Sequence, residues 1–120
     1  MKTKILTGIC ILFLIGGCGK EGIVGLFFPN FSNSWVSSRN TLFQFIPTAS
    51  SVGKSEGDFN GDEDGLKFKG KFNSYDIEFT FLEGPENTIT YKGQFVKDSK
   101  PLQMIVRNKD GNQLIITKLQ

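Results

Sequence analysis

From Trp35 onward apolar residues recur at every second position in most stretches of the chain, the period of extended chain with one buried face, not of a helix. In Leu66-Lys67-Phe68-Lys69-Gly70-Lys71-Phe72 the even positions are apolar or glycine and the odd ones are lysine. Asn73-Ser74 reads as a two-residue turn. Beyond it Tyr75, Ile77, Phe79 and Phe81 share one side, while Asp76, Glu78 and Thr80 share the other. This register sets Phe72 opposite Tyr75, Lys71 beside Asp76 and Lys69 beside Glu78, so the core and charge patterns agree. The alternation resumes in Ile89, Tyr91, Gly93 and Phe95, in Leu102, Met104 and Val106, and in Leu114 and Ile116, with turn-forming clusters between. Upstream, residues 42–46, 54–60 and 34–37 around Trp35 read as further strands. The expectation is an all-β fold: an antiparallel up-and-down meander of about eight short strands. With one apolar face to bury, it must close into a barrel or pack as a sandwich.

The first residues follow a different pattern. Lys2 and Lys4 precede a mostly apolar run from Ile5 to Ile15, and Gly16-Gly17 then precede Cys18, the layout of a cleavable export signal. Eleven residues, interrupted by Thr7 and Gly8, fall short of the roughly 20 that a spanning helix needs. Leu14-Ile15-Gly16-Gly17-Cys18 resembles the lipobox of bacterial lipoproteins. The resemblance implies that residues 1–17 are removed and that the Cys18 thiol takes a diacylglyceryl group. It also implies an acylated membrane anchor followed by a tether over 18–32 and a single β domain over 33–120. Gly19, rather than Asp, follows the cysteine; by the same resemblance this points to the outer membrane of a double-membrane bacterium.

Removal of the signal changes the composition. Of the 120 residues 103 remain, enough for one domain, with 12 basic residues against 12 acidic ones. The basic balance of the whole chain therefore carries no expectation of nucleic-acid binding. Cys10 leaves with the signal and Cys18 is alkylated, so no thiol remains for a disulfide, a metal or a nucleophile. Eleven phenylalanines stay, each contributing roughly 1.5 to 3 kcal/mol if buried.

Phe68-Lys69-Gly70-Lys71-Phe72 and Tyr91-Lys92-Gly93-Gln94-Phe95 echo one another, and each places a glycine on the inward face. Such a glycine marks either strand curvature with neighbouring rings over the gap or room for a ligand. An early Trp35, successive hairpins with inward glycines and a final Leu114-Ile115-Ile116-Thr117-Lys118 strand are together similar to the lipocalin-like and avidin-like barrels. The likeness implies an interior pocket for a small apolar molecule, with Trp35, Phe68, Gly70, Tyr91 and Gly93 as its candidate lining. Before that domain, Ile23, Val24, Leu26, Phe27, Phe28 and Phe31 make an unusually apolar tether. This segment is either a strand or plug of the domain, or a part that meets lipid or a partner.

Residues 57–65 carry Asp58, Asn60, Asp62 and Asp64 two apart. The stretch resembles the Asp-Phe-Asn-Gly-Asp loops of calcium-binding repeats, which implies a calcium site at these oxygens. The other reading is an acidic, glycine-rich turn between strands ending near Asn60 and beginning near Leu66. No other cofactor is expected.

The chain contains no histidine, so a Ser-His-Asp triad or a histidine-ligated metal is ruled out. Asp76 and Glu78 face the lysine row, and no paired carboxylates are placed where they would be desolvated. An enzyme is not expected. Lys67, Lys69 and Lys71 are read as a solvated face with cross-strand acidic partners. Two functions stay open: a lipid-anchored structural or interaction module contacting an envelope or external protein, and a carrier of a small hydrophobic ligand.

Overall fold

A computed structural model describes residues 26–119; residues 1–17, read above as an export signal, and Cys18, Ile23 and Val24 lie outside them. Among the described residues eight strands follow in order: β1 Trp35–Ser37, β2 Leu42–Pro47, β3 Glu56–Glu63, β4 Leu66–Asn73, β5 Asp76–Phe81, β6 Thr90–Phe95, β7 Gln103–Arg107 and β8 Gln113–Lys118. Each pairs antiparallel with the next, and β8 pairs antiparallel with β1, which closes a barrel and settles the choice against a sandwich. The alternation explains the closure. Inward positions such as Phe43, Phe59, Phe68, Phe79, Tyr91, Met104 and Ile116 are at most 1% exposed, and eight strands leave an interior just wide enough for side chains to fill.

The filling is aromatic. Phe45 lies 5.5 Å from Phe59 and 5.4 Å from Phe68 between ring centroids, Phe68 is 4.8 Å from Phe79, and Phe79 is 5.7 Å from Tyr91. Most of these pairs are tilted or edge-on, the arrangements favoured by ring quadrupoles. The inward glycines belong to this packing. A Cβ at Gly70 would stand 2.7 Å from the Phe59 ring and collide with the Glu78 carbonyl oxygen, and at Gly93 it would meet the β7 backbone at Ile105 and Val106.

Three expectations are corrected. First, β4 and β5 pair Phe72 with Ile77, Lys71 with Glu78, Lys69 with Thr80 and Asn73 with Asp76, so the turn is Ser74-Tyr75, not Asn73-Ser74. The shift of two residues leaves every side chain on its expected face. Tyr75 is drawn to the barrel end, where its ring stacks on Phe27 at 4.5 Å. Second, β3 runs on to Glu63, and Asp64-Gly65, with φ of 49° and 92°, makes the turn. Positive φ at both central residues suits the twist of a tight hairpin, and Asp-Gly is a favoured pair for it.

The third concerns the start of the domain, which lies before residue 33. Phe27 is half-buried, Pro29 and Phe31 are buried, and Leu26, Phe28 and Asn30 are exposed. Phe31, 4% exposed, enters the barrel against Phe72, Phe59, Phe45 and Phe95 at centroid distances of 5.2 to 5.8 Å. The apolar segment is thus a plug along its inward side.

Candidate functional site

The connections divide the barrel into two unlike ends. The proximal end receives the N-terminal segment and carries the β2–β3, β4–β5 and β6–β7 connections. The distal end carries the other four hairpin connections. Phe31 closes the proximal end. The distal end is closed by a polar network centred on Glu63, an inward residue of β3 that is 5% exposed.

Burying a carboxylate is costly unless it is paired and hydrogen-bonded, and every polar neighbour here serves that end. Arg39 Nε donates to Glu63 Oε2 at 2.7 Å and Nη2 donates to Oε1 at 2.6 Å, a two-pronged guanidinium–carboxylate pair. Thr41 Oγ1 donates to Glu63 Oε2 at 2.5 Å. From the β5–β6 loop, Glu86 accepts from Arg39 Nη2 at 2.8 Å and from the Tyr91 hydroxyl at 2.6 Å. The Glu63 hydrogen bond holds the Arg39 guanidinium far above its ordinary range, against an opposing effect of burial. For Glu86, burial pushes the carboxyl up, but the bonds from Arg39 and Tyr91 outweigh it and the net shift is downward. Burial, then the Glu86 bond, raises the Tyr91 phenol. All three shifts favour the arrangement seen at neutral pH, in which the Arg39 cation is shared between two carboxylates and the Tyr91 phenol keeps its proton. A depression of about 270 Å³ beside Arg39, Leu66, Phe81 and Pro85 lies just under the roughly 300 Å³ where ligand pockets begin.

The candidate pocket residues do not surround a common interior cavity. Trp35, Phe68 and Tyr91 are buried against other core rings, Trp35 on Phe45 and both Phe68 and Tyr91 on Phe79, and the space at Gly70 and Gly93 is taken by the Phe59 ring and the β7 backbone. Trp35 has its indole N–H without a hydrogen-bond partner among the described residues. Lys118 Nζ sits 5.3 Å from the Trp35 ring centroid, and burial lowers the pKa of that ammonium.

Three of the four calcium-loop residues are not on a loop. Asp58, Asn60 and Asp62 alternate along the outer face of β3, opposite Lys71, Lys69 and Lys67, while Asp64 sits in the turn and accepts from Leu42 N at 2.9 Å. Extended chain sets alternate side chains in a straight row instead of wrapping them around a point. Among the described residues no three His, Cys, Asp or Glu side chains gather as metal ligands do. The lysine row of β4 therefore lies between carboxylates on both sides, with Asp58 and Asp62 on β3 and Glu78 on β5. An open groove of about 740 Å³ over β3 to β6 is lined by Asp58, Lys71, Asp76, Glu78 and Lys92 among others.

Arg39, Glu63 and Glu86 were not among the residues singled out by the pattern of the chain. Their signal was present: once Asp64-Gly65 is read as the hairpin turn, Glu63 continues the inward parity of Phe59 and Gly61. A carboxylate at an inward position demands a cation.

The fold and its two closed ends define a class, the small eight-stranded antiparallel barrel with a packed interior. No protein-family model, curated protein or solved structure matches this chain.

Proposed function

We propose that the protein is a lipid-anchored envelope lipoprotein, acylated at Cys18, whose barrel acts through its exterior as a structural or protein-interaction module without catalytic activity. The observation that carries the second half of this reading is the packed interior: aromatic rings occupy the barrel axis, Phe31 fills one end and the Arg39–Glu63 pair fills the other. A carrier needs a mostly apolar pocket of about 300 Å³ or more, and the positions expected to line one are packed against other core rings and neighbouring strands. The first half rests on the lipobox-like Leu14-Ile15-Gly16-Gly17-Cys18. Two or three acyl chains, at about 0.8 kcal/mol per buried methylene, would hold such a domain stably on a bilayer. The absence of Asp after Cys18 supports the outer membrane of a double-membrane host.

Mass spectrometry of the membrane-extracted protein tests both parts. The expected N-terminal peptide begins at acylated Cys18, and Cys18→Ser abolishes the modification and the membrane association. Native spectra should show the barrel without a stoichiometric small apolar passenger. An unmodified Cys18, or a bound lipid-like molecule surviving gentle extraction, would overturn the corresponding half.

A further inference from the structure

The two barrel ends differ in charge and in exposed apolar surface as well as in how they are closed. At the proximal end Leu26, Phe28, Val52 and Leu119 are 46%, 57%, 63% and 40% exposed. They belong to segments that touch one another. Phe27 N donates to the Ser74 hydroxyl at 2.9 Å, Ser74 N to Ser55 O at 2.6 Å, and Leu119 N to Ser34 O at 2.9 Å. The proximal strand connections carry Lys54, Lys97 and Lys100 against Asp98 alone, whereas the distal ones carry Asp64, Glu83, Glu86 and Asp110 against Arg39 and Lys109. The distal end also exposes Leu42 and Leu82, each 47%, so the proximal end is basic and the more apolar of the two, and the distal end is acidic.

The N-terminal segment adds a distance. Eight residue steps separate Cys18 from Leu26, and fully extended chain spans at most ~3.3–3.6 Å per residue, so the anchor lies within about 28 Å of this rim. A short leash from the bilayer ends on the face whose chemistry suits a bilayer. Aromatic and aliphatic side chains enter the boundary between headgroups and acyl chains, and lysines nearby are attracted to anionic headgroups. Long lysine stems let the ammonium stay in water while the chain covers apolar surface.

We propose that the proximal end rests on the membrane, with Leu26, Phe28, Val52 and Leu119 in the lipid interface and Lys54, Lys97 and Lys100 against anionic headgroups. This rests on the reading of Cys18 as the anchor. In it the alternation of residues 26–31 has two uses: Phe27 and Phe31 close the barrel while Leu26 and Phe28 face lipid. The barrel then stands upright and presents its acidic distal end away from the bilayer.

The test is spin-label accessibility in the mature protein on vesicles of phosphatidylethanolamine containing phosphatidylglycerol. Since Cys10 leaves with the signal and Cys18 is capped, Val52→Cys and Lys109→Cys each give a single labelling site. The Val52 label should be several-fold more accessible to dissolved oxygen, relative to a water-soluble nickel chelate, than the Lys109 label. Leu26→Ser with Phe28→Ser should reduce that contrast while leaving the Trp35 fluorescence of the folded barrel unchanged. Equal chelate access at both labels in protein whose mass shows an acylated Cys18 overturns the orientation and leaves the anchor standing. If the mass shows a bare Cys18, the anchor reading has failed; with Cys10→Ser and Cys18→Ser added to keep one labelling site, shielding of the Val52 label after mixing with the same vesicles then still supports the surface, and no shielding overturns it.

Discussion

Phe31→Ala separates a plug from a tether by the size of its effect. The ring is 4% exposed and lies among Phe72, Phe59, Phe45 and Phe95, so its removal leaves a void bounded by rigid rings on several strands. Truncating a buried phenylalanine costs about 3–5 kcal/mol where the surroundings cannot collapse. A domain of this size has about 5–15 kcal/mol in total, so the variant stays folded only with a much narrower margin. With an m-value of about 1.5 kcal/mol/M in urea, the unfolding midpoint should fall by about 2–3 M. Trp35, the single tryptophan, sits 6.5 Å from Phe31 between ring centroids and reports the transition by fluorescence. Phe28→Ala is the internal control: it is three residues away and 57% exposed, and it should move stability by no more than about 0.5 kcal/mol. If both variants unfold with midpoints close to that of the parent, the segment does not close the barrel, and the domain begins after it.

Other expectations follow from the same packing. Gly70→Ala should cost about 1–3 kcal/mol through overpacking against Phe59 and the β5 backbone, measured by urea unfolding; an unchanged midpoint would mean the bend is soft. Glu63→Gln should cost about 2 kcal/mol, since the buried side of the pair loses its charge while Arg39, about a third exposed, recovers some hydration. Because Tyr91 titrates above its ordinary 10.0 when folded, its contribution is full below pH 10 and is lost as pH rises through the folded value. Glu86, lowered from 4.5, contributes above that pH and loses its contribution as pH falls through its folded value. Melting temperature should therefore decline at both extremes, and Tyr91→Phe should flatten the alkaline decline. Millimolar calcium should leave the melting temperature unchanged, because Asp58, Asn60 and Asp62 lie along a strand; a rise with calcium would restore a site at these residues.

The fold was largely legible because alternation fixes faces, and faces are all that closure requires. Phe68, Phe72, Ile77 and Phe79 took their inward places even though the β4–β5 register was set two residues off, since an even slip preserves parity. What pattern could not supply was where one strand stops. The acidic Gly-rich stretch looked like a long turn, yet Asp58, Asn60 and Asp62 are the outer face of β3, held extended by Lys71, Lys69 and Lys67 across from them. That single misplacement also hid the distal network, because Glu63 becomes an inward residue only when β3 is carried to the Asp64-Gly65 turn. Its partners Arg39 and Glu86 come from loops 24 residues before it and 23 after it, a convergence that only barrel closure produces.

The ends of this barrel are closed by opposite means, and this bears on how force and chemistry reach it. The distal end depends on charge: Arg39 bridges carboxylates from β3 and the β5–β6 loop, so its integrity follows pH. The proximal end depends on apolar packing by the segment that leads back toward Cys18, so its integrity follows whether Phe31 stays seated. An anchor attached through a polar tether could move without disturbing the domain, as flexible linkers allow. Here Phe27, 4.5 Å from Tyr75, and Phe31 lie between Cys18 and the first strand in the chain. If Cys18 is the anchor, whatever holds the chain at the membrane is coupled to core packing, and a barrel seated with its apolar rim on lipid would keep that segment slack.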